Sequence, residues 1–215
     1  MFATSKIELS QSSLKSNVRF IRRMLGPAVR YSSVIKGNAY GHGIEQFVPM
    51  AERCGLNHFS VFSASEALAA FEQSTRPDTR IVIMGAIDDS ELDWAVEHGI
   101  GFWNFELERL AAADQAAERI GRPARIHLEV ETGMNRTGLS PSALVRAVDI
   151  IKAHPNRFQL DGLCTHYAGA ESQANYLRIQ NQIKRFYEAT TRLGELGLEV
   201  PTRHSACSAA AVVYP

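Results

Sequence analysis

One lysine lies in a glycine-rich segment directly after a short apolar run. The segment Lys36–Gly43 reads KGNAYGHG and follows the apolar residues that end at Ile35. A lysine amine at a strand end can form a Schiff base with an aldehyde cofactor, because partial burial and neighbouring cations favour the neutral amine. The alternative is that Lys36 only caps the strand and extends into solvent, and the spacing by itself leaves both interpretations open.

A second polar loop follows another buried run. The segment Glu131–Gly138 reads ETGMNRTG and places Arg136 between two glycines. An arginine in such a loop can orient an anionic oxygen through charge-assisted hydrogen bonds. A solvated surface arginine is the alternative.

Three further candidates end or follow predicted strands. His166 and His204 each end a strand, where a histidine is either a structural hydrogen-bonding group or a ligand. Ser208 precedes an alanine-rich run, so it can present a hydroxyl and backbone N–H groups to a phosphate, or act as an ordinary N-cap. No spacing of His, Cys and Asp fits a zinc site, and we predict no metal.

The elements that must position these residues alternate between strands and helices. After a first strand at Lys6–Leu9, seven strands are predicted, at Arg30–Ile35, His58–Phe62, Arg80–Met84, Gly101–Asn104, Arg125–Val130, Gln159–Thr165 and Thr202–His204. Helices are predicted at Ser10–Leu25, Gly43–Cys54, Ala64–Gln73, Asp89–His98, Glu106–Ile120, Pro141–Ala153, Ala170–Leu196 and Ser208–Val213.

This alternation predicts an α/β fold with a parallel sheet and helical crossovers. We expect residues 1–215 to form one domain, a (β/α)8 TIM-type barrel that stops before its last strand. In such a barrel the chemistry lies at the C-terminal ends of the strands, so the candidate residues would converge on one mouth. An open doubly wound sheet is the alternative.

Composition excludes several classes of function. The 215 residues carry 23 Lys and Arg against 23 Asp and Glu, so no basic field favours nucleic acid or a membrane surface. No apolar run approaches the roughly 20 residues of a membrane span, and the N-terminus has no signal-peptide pattern. Three widely spaced cysteines fit reduced thiols in the cytoplasm.

Several segments together resemble one known family. Val34–Gly43 (VIKGNAYGHG) resembles the pyridoxal phosphate (PLP) signature of alanine racemases. Thr132–Gly138 resembles the arginine loop of that family, and Ile7–Leu9 with the following helix resembles its first strand and helix. Thr165–Ala168 and His204–Ala210 resemble two further family segments. These matches run in family order along nearly the whole chain, so the sequence is identified as a member of the alanine racemase family.

The resemblance implies a fold-type III PLP enzyme, in which a (β/α)8 barrel precedes a β-rich C-terminal domain that this chain would lack. It implies that Lys36 holds PLP as a Schiff base and acts as one of two racemisation bases. Tyr40 and Ser208 would contact the phosphate, Arg136 would bond the phenolic oxygen, and His166 would lie beside the pyridine ring. His204 is included among the cofactor-binding residues, and the catalytic residues implied are Lys36, Arg136 and His166.

The implied activity is the interconversion of L- and D-alanine, through an external aldimine and abstraction of the Cα proton. Such an enzyme supplies D-alanine for bacterial peptidoglycan. In the family the second base is a tyrosine from the C-terminal domain of the partner subunit. We therefore expect a homodimer for the full-length protein and an inactive fragment. Two alternatives stay open, namely a racemase for another amino acid such as serine or lysine, and a non-catalytic single-domain protein that binds PLP.

The sequence departs from the family pattern in places. Gly37 stands where the family usually has Ala, and Cys207 where it commonly has Asn. Glu129 stands where many members have a lysine that is often carbamylated, and carbamylation turns a lysine into an anion. We hypothesise that the Glu129 carboxylate supplies a similar charge and orients Arg136. The family arginine that faces the pyridine nitrogen would lie beyond Pro215.

Overall fold

The computed structural model describes residues 6–214. The chain divides into two compact units, Met1–Ala86 and Ile87–Pro215. Helices and strands of the first unit are α1 (Gln11–Leu25), β1 (Ser33–Val34), α2 (Lys36–Tyr40), α3 (Ile44–Arg53), β2 (His58–Val61), α4 (Ala64–Gln73) and β3 (Arg80–Ile83).

The second unit continues the alternation. Its helices and strands are α5 (Asp89–Glu97), β4 (Gly101–Asn104), α6 (Leu107–Ile120), β5 (Ala124–Glu129), α7 (Pro141–Ala153), β6 (Phe158–Cys164), α8 (Tyr176–Glu195), β7 (Arg203–His204) and α9 (Ser208–Val213). A single 3-10 turn, Gln173–Asn175, precedes α8.

Every strand pair resolved within a unit is parallel. In the first unit β2 lies between β1 and β3, with Phe59 opposite Ser33 on one side and Ile81 on the other. In the second unit β5 pairs with β4 and β6, and β6 with β7. A register shift between Ile126 and His127 interrupts the pairing of β5 with β6. The predicted α/β fold with parallel strands is confirmed, and the part of the chain that the structure describes holds the seven strands expected after the first helix.

The strands are apolar because helices cover them. Phe59 and Ile83 in the first unit, and Phe102, Ile126 and Leu128 in the second, are fully buried. The covering helices contribute their apolar faces to these cores, among them Val48, Ala67, Leu92, Leu110, Leu144 and Val148. Parallel strands buried in this way read as continuous apolar runs, which is the pattern seen in the sequence.

Local capping chemistry confirms two of the predicted helix starts. Ser10 and Ser140 act as the predicted N-caps, and their hydroxyls accept hydrogen bonds from Ser13 N and Ala143 N. The helices Ala64–Gln73, Pro141–Ala153 and Ser208–Val213 have the predicted bounds.

Several predicted elements differ from the structure by one or two residues at an end, and three differ by more. The strand expected at Lys6–Leu9 is wrong, since this segment has no regular secondary structure. The strand expected over Arg30–Ile35 shortens to Ser33–Val34, where β2 provides backbone partners. The helix expected over Ala170–Leu196 begins only at Tyr176. An apolar run becomes a strand only where a neighbouring strand pairs its backbone, and the sequence does not show where that neighbour ends.

None of the helices within residues 6–214 combines the length and the apolar character required to cross a bilayer.

Candidate active site

The lysine segment forms a left-handed turn. Directly after β1, the backbone at Gly37, Asn38 and Ala39 has φ of 62, 52 and 55°, and Tyr40 has φ of 53°. Three of these four residues are not glycine, and the left-handed conformation costs about 1–2 kcal/mol for each L-residue with a Cβ. Such strain persists only where surrounding contacts determine it, and it concentrates at functional sites.

Backbone hydrogen bonds close this turn on both sides. The Ala39 amide donates to Ile35 O at 2.8 Å, and the Gly43 amide donates to Asn38 O at 2.9 Å. The Asn38 side chain accepts from the Ile44 amide at 2.8 Å, at the first residue of α3. Ala39 is buried, whereas Lys36 and Tyr40 are exposed, so the turn anchors its middle and presents the amine and the phenol.

A glutamate on α4 holds the start of the turn. Glu66 Oε1 accepts from the Gly37 amide at 2.6 Å, and Glu66 Oε2 accepts from the Phe62 amide at 2.8 Å. Sequence reasoning did not identify this residue. A signal was available, because Ser63-Ala64-Ser65-Glu66 has the capping-box pattern at a helix start.

The arginine loop folds around the carboxylate of Glu131. That carboxylate accepts from the amides of Gly133 and Asn135. The loop closes where Leu139 N donates to Glu129 O at 2.8 Å and Glu131 N donates to Leu139 O at 3.1 Å. Arg136 lies exposed on this loop.

Glu129 ends β5 beneath this loop, and it is 3% exposed. Burial raises the pKa of its carboxyl, while the Thr137 side chain and the Arg136 charge lower that pKa in part. Its Oε2 has no hydrogen-bond partner among the described residues. The structure therefore places Glu129 within electrostatic reach of Arg136, and it leaves one buried acceptor open.

A buried glutamine ties the arginine loop to the segment after β6. Gln182 of α8 accepts from the Ala168 amide at 2.9 Å and donates to His166 O at 3.1 Å. Its Nε2 also lies 3.4 Å from Thr132 Oγ1, and Thr132 Oγ1 bonds Thr165 Oγ1 at 2.7 Å. Sequence reasoning missed Gln182 as well. The signal was a polar residue in the apolar stripe between Ile179 and Phe186.

His204 lies in an aromatic cluster. Its Nε2 is 3.0 Å from His127 Nδ1, and its ring lies 5.7 Å from that of Trp103. Desolvation by burial lowers the pKa of His204 to about 4. The imidazole is therefore neutral near pH 7, and one of the two facing nitrogens donates while the other accepts.

The last predicted site residue begins α9. Ser208 is exposed and the preceding Cys207 is half-buried, with Cys207 at the N-cap. Ser208 is thus the first helical residue, which corrects its alternative interpretation as an N-cap.

The predicted site residues fall into two groups. Lys36 and Tyr40 share one turn of the first unit, and the second unit holds Glu129, Arg136, His166, His204 and Ser208. Their convergence on one mouth stays a prediction. Within residues 6–214, no group of three His, Cys, Asp or Glu side chains is arranged to hold a metal ion.

Comparison with known proteins finds one family that matches nearly the whole chain. Residues 9–215 match the family model described as the N-terminal domain of alanine racemase. An alanine racemase of Chlorobaculum tepidum is 30% identical over 212 residues, which cover 98% of this chain and 55% of that protein. One from Listeria monocytogenes is 31% identical over 202 residues, covering 94% and 53%.

Solved structures show the same fold. The alanine racemase from Streptomyces coelicolor superposes with a TM-score of 0.88 at 28% identity, over 95% of this chain and 54% of that one. One from Clostridium difficile gives a TM-score of 0.87 at 22% identity, over 95% and 53%. The chain therefore spans about half the length of the relatives that it matches.

Proposed function

Because the chain belongs to the alanine racemase family, we propose that it is the barrel portion, residues 1–215, of a PLP-dependent enzyme that interconverts L- and D-alanine. The observation that carries this proposal is the exposed Lys36 on a strained left-handed turn directly after β1. Strain of this kind marks functional sites, and the amine is the one that the family motif designates.

The residues present fit PLP by their chemistry. An exposed lysine amine can condense with an aldehyde, and exposed hydroxyls of Tyr40 and Ser208 can donate to a phosphate. The exposed Arg136 guanidinium can donate to a phenolic oxygen. The neutral imidazole of His204 adds no positive charge near a pyridine ring. His166 is half-buried and is proposed to lie beside that ring.

When bound, PLP would supply an electron sink that makes the Cα proton of a bound amino acid acidic. Lys36 Nζ is the proposed base on one face of the substrate, where it removes or returns that proton. Tyr40 and Ser208 bind and orient through their hydroxyls, and Arg136 holds the phenolic oxygen. The second base is proposed to come from a partner subunit, so the full-length protein would act as a cytoplasmic homodimer.

Glu129 is proposed to orient Arg136. Its buried carboxylate lies close enough for the Arg136 charge to lower its pKa, and its Oε2 remains open to a donor. In this position an anion would hold the guanidinium at one angle, since charge-assisted hydrogen bonds are strong and directional.

Borohydride trapping tests the proposed function. The protein is purified from its complete reading frame, reduced with borohydride, and mapped by mass spectrometry for a pyridoxyl group. We expect the group on Lys36, and no adduct at that position in Lys36→Arg. A folded protein that gives no adduct at Lys36 after PLP is added would refute the assignment. Racemisation of L-alanine, compared with L-serine and L-lysine, then decides the substrate.

A further inference from the structure

Glu66 connects α4 to the lysine turn, and its position suggests a role beyond capping its own helix. We propose that Glu66 is a positioning residue that holds the Lys36 turn in its left-handed form and thereby sets the direction of the Lys36 amine. This inference rests on the proposed function, because it assigns Glu66 a part in the attachment of the cofactor.

The two carboxylate oxygens of Glu66 accept hydrogen bonds from two different segments of the chain. Oε1 accepts from the Gly37 amide at 2.6 Å and lies 3.4 Å from the Asn38 amide, whereas Oε2 accepts from the Phe62 amide at 2.8 Å. Gly37 follows Lys36 directly, so the Glu66 carboxylate fixes the peptide plane that carries Lys36 into the turn. The amides of Gly37 and Asn38 open the turn, and Glu66 is the protein acceptor that they meet there.

Glu66 is itself held rigidly. It occupies the third position of α4, where its backbone amide donates to the Ser63 hydroxyl at 3.3 Å. A carboxylate near a helix N-terminus is stabilised by the unpaired amides and the helix dipole. Because α4 packs on the core through Ala64, Ala67 and Ala70, the carboxylate is fixed relative to the first unit.

Only a carboxylate of this length satisfies both donors. Glutamine offers one acceptor oxygen, and its NH2 group would face the second amide as a donor against a donor. Aspartate keeps the charge but is one methylene shorter, so it cannot reach both Gly37 and Phe62. Without Glu66, the Gly37 amide would donate its hydrogen bond to water instead. The non-glycine residues Asn38, Ala39 and Tyr40 would then favour right-handed conformations.

The test compares Glu66→Gln and Glu66→Asp with Glu72→Gln, which removes an exposed charge from the same helix. Two quantities are measured on the full-length protein. One is amide hydrogen exchange at Gly37 and Phe62 before PLP is added, with the β3 amides as a reference. The other is the rate at which added PLP forms a borohydride-reducible adduct at Lys36. We expect exchange at Gly37 to rise at least about tenfold, and adduct formation to slow by about tenfold, in both Glu66 variants.

The outcomes separate the two hypotheses. Unchanged hydrogen exchange at Gly37, with the β3 amides still protected, would show that Glu66 does not hold the Lys36 turn. Faster exchange with an unchanged adduct rate would show a purely structural contact and overturn the positioning role. If the parent protein forms no adduct at Lys36, the proposed function fails and the positioning role falls with it. Should Glu66→Gln not fold, Glu66→Asp, which retains the charge, supplies the same comparison.

Discussion

Gln182 donates a hydrogen bond to the carbonyl oxygen of His166 at 3.1 Å and accepts one from Ala168 N at 2.9 Å. One side-chain amide therefore fixes the backbone on both sides of Tyr167. The same amide group lies 3.4 Å from Thr132 Oγ1, which begins the arginine loop. Two segments proposed to bind the cofactor thus share one buried polar residue.

Replacement of Gln182 by Leu removes the side-chain partner of two backbone groups, the buried Ala168 N–H and the half-buried His166 C=O. Each unpaired group costs about 1–3 kcal/mol, so we expect the free energy of unfolding to fall by about 2–5 kcal/mol. Urea denaturation of the full-length protein measures this loss. The neighbouring exposed Asn181→Ala serves as the control and should change stability by no more than about 0.5 kcal/mol. A similar loss in both variants would show that the Gln182 network contributes nothing special.

Glu129→Gln should change how stability depends on pH. Burial raises the pKa of Glu129 in the folded protein above its usual 4.5. Between the usual pKa and the raised pKa, the folded state therefore binds more protons than the unfolded state. Stability contributed by this group therefore falls as pH rises through that window. The glutamine variant lacks this fall, and its stability relative to the parent should be higher at pH 7 than at pH 4. Urea midpoints at several pH values measure the difference, with the exposed Glu108→Gln as control. Parallel curves would contradict the prediction.

The kcat of the Glu129→Lys variant should depend on carbon dioxide. A lysine at this position is neutral or cationic until it reacts with carbon dioxide, and carbamylation then restores an anion beside Arg136. We expect a loss of kcat in carbonate-free buffer that bicarbonate partly restores, with no such response in Glu129→Gln. Equal activity of Glu129→Lys with and without bicarbonate would argue against an anionic requirement at this position.

His204 should weaken the protein in acid. Its pKa of about 4 lies below the ordinary 6.5, so the unfolded state binds the extra proton between these values and stability falls as pH drops from 6.5 towards 4. At about 1.4 kcal/mol per pKa unit, the full loss is on the order of 3–4 kcal/mol. His204→Gln should flatten this arm of the stability curve, whereas the exposed His98→Gln should leave it unchanged. An identical acid slope in His204→Gln would refute the prediction.

Two glycines with positive φ should respond differently to alanine. A Cβ on Gly138 would lie 2.5 Å from Glu131 N, against backbone that cannot yield, and φ is 122° there. A Cβ on Gly37 meets nothing within 4 Å, and φ of 62° lies in the left-handed region. We expect Gly37→Ala to cost only the backbone strain of about 1–2 kcal/mol, and Gly138→Ala to cost clearly more because its Cβ also clashes with backbone. Thermal melting of the two variants tests this, and equal losses would contradict it.

Local pattern predicted most of the elements. The bounds of α4, α7 and β4 follow directly from apolar spacing and from caps such as Ser140, because these signals act over a few residues. The proposal of Lys36 and Arg136 as site residues also needed only short motifs. The strand expected at Lys6–Leu9 failed because pairing depends on a distant partner, which a short apolar run does not specify.

Tertiary structure decided how the site residues are held. Glu66 lies 29 positions from Gly37, and Gln182 lies 50 from Thr132, so no local pattern links them. The left-handed backbone of Asn38 and its neighbours likewise depends on an acceptor supplied by another helix. The sequence alone thus determined the parallel α/β fold and the family, and it pointed to Lys36 as the proposed reactive residue. Packing brought together groups far apart in the chain, and it alone decided which buried donors and acceptors meet and which carboxylate, that of Glu129, carries a raised pKa.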